Sequence, residues 1–257
     1  MKKFTLLIIF YLIYFISFSQ KTKSEKVSVE KSSTQTWAEN WYSTSISFDL
    51  NDYWKFSFEN QLRVKHIDEK FDRNFIELDI QRLFKSEFFN VIIGGSYRHL
   101  LINDDVGSSK SIENHKRFSY FIAQKIKIDR LSIRARIQYQ SRKELLPEIN
   151  LELSDYSKYW RFKSEFGYNI KNWKLDPKIS IEYFSRNKNH YWNQYNKFRF
   201  ALGTKYNFNK KNSIGIKYML ERQIRDWNPE LIHVFGINYN YRIKHHTPRY
   251  KAFINEE

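Results

Sequence analysis

From Trp37 to Ile243 the chain changes chemical character at almost every second residue, and this alternation constrains its fold more than any other feature. The clearest stretch is Leu131–Gln140. Leu131, Ile133, Ala135, Ile137 and Tyr139 share one parity, while Ser132, Arg134, Arg136, Gln138 and Gln140 share the other. Successive side chains of an extended strand point to opposite sides, so this segment has one apolar wall and one strongly polar wall. In Tyr53–Lys65, Trp54, Phe56, Phe58, Leu62 and Val64 oppose Lys55, Ser57, Glu59, Gln61, Arg63 and Lys65. The pattern returns in Phe75–Phe84, Trp160–Ile170, Leu175–Arg186, Lys197–Tyr206 and Phe235–Ile243. About eleven such segments can be counted, most of roughly 10–13 residues, slightly longer than a tilted strand needs to cross a bilayer.

The connections alternate in length. Asn51-Asp52, Lys85-Ser86, Asp129-Arg130, Lys171-Asn172 and Asn209–Asn212 are tight. His66–Arg73, Ile102–Asn114, Arg142–Tyr156, Asn187–Gln194 and Ile224–Pro229 are longer and polar. Short turns at one end and long loops at the other are the habit of outer-membrane barrels, whose short side is periplasmic. The expected fold is therefore all-β: a transmembrane, antiparallel, up-and-down β-barrel of about twelve strands, with ten as the alternative. Twelve is favoured because such barrels are nearly always even-stranded. A mature N-terminus starting in the periplasm then needs one more ascending strand, for which Val27–Glu30 is the weak candidate.

Composition supports the same reading. Aromatics make up 18% of the chain while all hydrophobic residues together reach only 41%, so the apolar material is large, sparse and spread among polar neighbours. A soluble sandwich or lipocalin-like barrel with an aromatic core is the competing fold. It fits poorly, because the polar face is dense with Arg, Lys and Glu throughout. Aromatics crowd the segment ends at Trp41, Tyr42, Tyr53, Trp54, Phe88, Phe89, Trp173, Tyr191, Trp192, Tyr195 and Tyr241, where rings suit a membrane–water boundary. The chain has no cysteine, which excludes disulfides, thiolate metal sites and a cysteine-anchored lipoprotein.

Met1-Lys2-Lys3, the apolar run Phe4–Phe18 and the small residues of Ser17-Phe18-Ser19 read as a signal peptide cleaved before Gln20. The run is about 15 residues, short of the roughly 20 that span a bilayer as a helix. Losing Lys2 and Lys3 takes the formal charge from +16 to +14, so the basic excess belongs to the mature protein. The expected organisation is a signal over 1–19, a flexible lead-in over 20–36, the barrel over 37–243 and a tail over 244–257. The expected address is the cell outer membrane.

In the order of its pieces the chain resembles an uncharacterised family of outer-membrane barrels, domain of unknown function 2490, from about Trp37 to Ile243. The pieces are Trp37, Glu59-Asn60-Gln61-Leu62-Arg63, Gly94-Gly95-Ser96-Tyr97-Arg98, His115-Lys116-Arg117-Phe118 and Arg134-Ala135-Arg136-Ile137-Gln138-Tyr139. Pro177-Lys178-Ile179-Ser180-Ile181-Glu182 and Arg199–Tyr206 follow. The Ser-Gln signal end and the Lys/Asn/Ile/Tyr-rich usage look like those of a Bacteroidetes-type, Gram-negative bacterium. The resemblance implies a barrel and an outer-membrane address, and no activity. Barrels often end on an aromatic strand read by the insertion machinery. Here Lys244–Glu257 continues past it, so Val234–Ile243 is the expected internal insertion signal.

The parity rule also nominates the interior. Its basic set is Arg63, Lys65, Arg98, Arg117, Arg134, Arg136, Arg161, Lys163, Lys178, Arg186, Arg199 and Lys205. Its acidic set is Glu59, Glu77, Asp79, Glu165, Glu182 and Glu221. One reading is a narrow, porin-like, anion-favouring channel, since a low-dielectric wall lined by one sign of charge concentrates the other. The other is a closed structural or adhesion barrel, its lumen plugged by Arg–Glu pairs across adjacent strands. A barrel lipid hydrolase ranks below both, and no enzyme is expected. His115 and Ser119 share a strand face but stand roughly 13 Å apart, too far for a dyad. Neighbouring Asp104 and Asp105 suit a solvated loop better than a calcium site. With no glycine-rich phosphate loop, zinc spacing or nucleophile elbow, neither a cofactor nor a metal is expected. The expected partners are outer-membrane lipid and lipopolysaccharide, the barrel-insertion machinery and small anionic solutes. Nucleic acid is excluded because the chain carries an export signal and its charge is not gathered in one patch.

Overall fold

The computed structural model describes residues 34–65, 70–85, 90–104, 111–145, 157–186, 196–224 and 230–244. Their strands are β1 (Gln35–Asp49), β2 (Trp54–Lys65), β3 (Lys70–Lys85), β4 (Asn90–Asp104), β5 (Ser111–Ile128) and β6 (Leu131–Glu144). β7 (Ser157–Tyr168), β8 (Asp176–Arg186), β9 (Asn196–Asn207), β10 (Asn212–Ile224) and β11 (Glu230–Lys244) complete them. Each strand pairs antiparallel with its neighbours in sequence, and the sheet closes on itself as a barrel. The shortest strand has 11 residues and the longest 18. At ~3.3 Å per residue the shortest covers roughly 36 Å, or about 26 Å along an axis tilted ~45°.

Eleven strands is one fewer than the even count favoured from parity. The candidate extra strand Val27–Glu30, the signal segment and residues 245–257 lie outside the described residues. The reason eleven suffices is visible at the closure. In an odd-stranded meander the first and last strands run the same way, and β1 pairs parallel with β11 from Gln35↔Glu230 to Asp49↔Lys244 without a register break. β1 thereby satisfies both of its edges, with β2 on one side and β11 on the other.

The tight turns are chemically specified. Asp129-Arg130 joins β5 to β6 as a two-residue hairpin, with Asp129 at φ 49°, a left-handed position that Asp tolerates. Asn51 Oδ1 accepts hydrogen bonds from the backbone N–H groups of Tyr53 and Trp54. Asn209 Oδ1 does the same for Lys211 and Asn212.

At the other end the strands run further than the alternation suggests. β3 begins at Lys70, so residues 66–69 alone connect it to β2, where a loop through Arg73 was expected. A β-bulge explains the difference. Arg63 pairs Arg73 and Val64 pairs Phe71, leaving Asp72 as the extra residue. The bulge turns Asp72 into the barrel, where it is 2% exposed and accepts from Arg73 at 2.5 Å. One parity slip hid four strand residues, Lys70 to Arg73.

Burial is inverted relative to a water-soluble domain. Exposed large hydrophobics outnumber buried ones several-fold, with Tyr120 at 65% and Ile216 at 59%. Buried positions are mostly polar and face inward. Among the described residues one buried apolar cluster, Trp41, Met219, Ile232 and Val234 with Trp37 and Ala201 against it, sits inside the barrel behind the β1–β11 seam. Parallel pairing is slightly weaker per residue than antiparallel, and the seam is where side-chain packing is added.

Candidate functional site

The interior is assembled from the inward parity of all eleven strands. Two register rows carry its charge. One crosses β6 to β10 as Arg136↔Lys163↔Glu182↔Arg199↔Glu221. From Lys163 onward the signs alternate, and the side chains pair accordingly. Glu182 takes Arg161 at 2.8 Å, Lys163 at 3.1 Å and Arg199 at 3.7 Å. Glu221 takes Arg199 at 2.5 Å and also binds Lys197. The second row crosses β2 to β6 as Glu59↔Glu77↔Arg98↔Arg117↔Arg142. Here the signs are segregated. Glu77 serves both Arg98 and, at 3.6 Å, Arg117, while Arg142 has no ion pair among the described residues.

Around mid-height the arginines lie on aromatic rings. The Arg63 guanidinium carbon is 3.6 Å from the Trp41 centroid, and Arg98 is 3.5 Å from Phe75. Arg199 and Arg161 sit 4.6 and 5.0 Å from Phe184, and Arg136 lies 5.6 Å from Phe121. Such stacking suits guanidinium, which is planar and weakly hydrated. Glycine makes room for the layer. A Cβ on Gly94 would run into the Phe121 ring, and one on Gly236 into the Lys217 side chain.

Between this layer and the end bearing the longer connections lies a cavity of about 670 Å³. Its lining has twelve Arg or Lys side chains against six Asp or Glu. A much smaller cavity of about 40 Å³ lies on the tight-turn side, lined by Arg134, Arg136, Lys163 and Glu165. Arg136 lines both, so its side chain stands between the two spaces. Neither Arg134 nor Arg136 has an ion pair among the described residues.

Every nominated interior residue falls on the inward parity, and the structure separates them into groups. Arg98, Arg117, Arg161, Lys163, Arg199, Glu77, Glu165, Glu182 and Glu221 enter ion pairs. Arg63 donates to Gln61, Arg186 to Ser157, and Asp79 accepts from Gln81. Lys178 and Lys205 lie near the tight-turn end, away from the larger cavity. Glu59 lines the cavity without an ion pair among the described residues.

Trp41 corrects the assignment to a boundary belt. It shares the inward parity of Glu39, is 5% exposed and donates from Nε1 to Glu39 Oε2 at 2.7 Å. Its role is to floor the cavity. Phe88, Phe89, Tyr191, Trp192 and Tyr195 lie outside the described residues.

The aromatic partners Phe75, Phe121 and Phe184 were missed as interior residues. Phe75 and Phe184 carry the parity of Glu77 and Glu182, so strict counting would have placed them inside. Hydrophobicity argued the other way. Lys197 and Lys217 belong to the same cavity and follow from the same counting. His115 and Ser119 both face inward on β5 but are not brought together, since His115 Nε2 is bonded to Glu113.

The family model for a protein of unknown function, DUF2490, matches residues 38–229, from within β1 to the end of the connection that precedes β11. No curated protein matches the chain.

Proposed function

The chain belongs to the DUF2490 family of proteins of unknown function, and we propose that it spans a bacterial outer membrane as a β-barrel with a narrow, anion-favouring lumen. Its outward face is apolar along strands long enough to cross a hydrocarbon core, and a closed barrel leaves no sheet edge unsatisfied in lipid. The observation that carries the functional reading is the cavity of about 670 Å³ with its twofold excess of basic side chains. Unneutralised charge in a low-dielectric enclosure attracts counter-ions strongly. Small carboxylate- or phosphate-bearing solutes are the chemistry it suits. The chain's basic excess suits lipopolysaccharide phosphates, and the outward aromatics of β11 suit the insertion machinery. No catalytic role is assigned.

Planar-bilayer recording of the protein tests this reading. The expected result is discrete steps whose reversal potential in a salt gradient favours anions. Arg136→Ala should enlarge the steps, because it joins the two cavities, and weaken the anion preference. A second reading, a closed structural or adhesion barrel, is favoured by the arginine–aromatic layer and the Glu182 ion-pair cluster. Folded, heat-modifiable protein that inserts without steps overturns the channel and leaves the closed barrel.

A further inference from the structure

Where β5 and β6 approach the longer connections, three inward side chains stand apart from the arginine network. His115 pairs directly across from Glu144, and Glu113 precedes His115 by two residues on the same strand. The parity of all three is inward, so they converge on one point of the lumen wall. One nitrogen of His115 and one carboxylate oxygen from each glutamate lie within 4.8 Å of one another. His115 Nε2 is 2.8 Å from Glu113 Oε2.

Two features set this cluster apart from a solvated acidic patch. His115 is 4% exposed, and its Nδ1 has no hydrogen-bond partner among the described residues. A buried polar atom without a partner is costly unless something binds it. In addition, Glu144 forms no ion pair among the described residues, although Arg142 and Arg117 face each other one inward step further along the same pair of strands. Two carboxylates have gathered around an imidazole in an interior that offers arginines in surplus. Like charges brought that close repel, and a cation between them removes the cost.

We propose that Glu113, His115 and Glu144 form a divalent-metal site on the lumen wall. The ligand set has two hard oxygens and one borderline nitrogen, which suits Zn²⁺ or Mn²⁺ better than Ca²⁺ or Cu⁺. Three protein ligands on one side leave coordination positions open toward the lumen. The site is independent of whether the lumen conducts, because it rests on cross-strand register and side-chain chemistry alone.

The test is calorimetric titration of Zn²⁺ into the full chain, purified in detergent and stripped of metal. One high-affinity site per chain is expected. His115→Ala and, separately, Glu144→Gln should each weaken it at least roughly tenfold. His233→Ala, which alters an outward histidine, should leave that site unchanged. A heat-dependent shift in gel mobility equal to that of the unaltered chain shows that each variant still folds. If His115→Ala disturbs folding, the near-isosteric Glu113→Gln and Glu144→Gln carry the test. Co²⁺ absorption provides a second readout, since its ligand-field bands report direct coordination and should vanish in the His115→Ala variant. Zn²⁺ binding of equal affinity in folded His115→Ala and Glu144→Gln overturns the proposal, as does absence of binding to the unaltered chain.

Discussion

Along the seam, Trp41, Met219, Ile232 and Val234 bury one another where β1, β10 and β11 meet, while across the lumen β5 to β8 present arginine, glutamine and serine. On that wall the polar atoms Ser119 Oγ, Gln138 Oε1, Gln140 Nε2 and Arg134 Nε have no hydrogen-bond partner among the described residues. The difference follows from how each region holds together. Antiparallel ladders joined by tight turns specify their own register, so side chains there are free for other work. The parallel seam has no hairpin to fix it, and its partners are far apart in sequence. Its register is held by packing inside the barrel and by side-chain pairs that cross the seam, Asn238 to Ser43, Ser45 to Asn240 and Arg242 to Asp49.

Removing the packing should hurt most. Trp41→Ala deletes the largest member of the seam cluster and the surface on which Arg63 stacks, and should cost about 3–5 kcal/mol in denaturant unfolding of the barrel. Next comes Glu182→Gln on the facing side. It leaves Arg161, Lys163 and Arg199 without their shared carboxylate, and the expected loss is up to about 3 kcal/mol. The same variant should strengthen anion preference in bilayer recording, which Trp41→Ala would not do through charge. Gly94→Val pushes the Phe121 ring off the wall, an overpacking cost of about 1–3 kcal/mol by the same unfolding measurement. Ser119→Ala should move stability by less than about 0.5 kcal/mol, because it removes an unpartnered hydroxyl. If Ser119→Ala proved as damaging as Trp41→Ala, the two walls would not differ as described.

These regions also differ in how far they can be read from sequence. On the polar wall, counting by twos from Arg134 to Gln140 gives the inward set directly, because every inward residue is polar. At the seam the same count fails to persuade, since Trp41 looks like an interface aromatic until its parity with Glu39 is taken seriously. Phe75 and Phe184 fall between, with parity pointing in and hydrophobicity pointing out. Asp72 lies beyond parity altogether, because a bulge shifts the count by one. Which acid serves which base was hidden for another reason. Glu182 meets Lys163 and Arg199 only when two connections set the registers of β7, β8 and β9, and no local pattern encodes that. The Glu113, His115 and Glu144 cluster needed the same information, since two of its members lie on β5 and the third on β6.

The odd number of described strands gives the barrel a direction. β1 starts at the end bearing the longer connections and β11 finishes at the end bearing the tight turns, so the chain makes one net crossing from its first strand residue to its last. An even barrel returns both tails to one compartment. In this one, the first described strand residue, Gln35, and the last, Lys244, lie at opposite ends of the barrel. A label on Gln35 and a label on Lys244 would then stand at opposite openings of the barrel, and a short linker could not join these two residues into a circular chain.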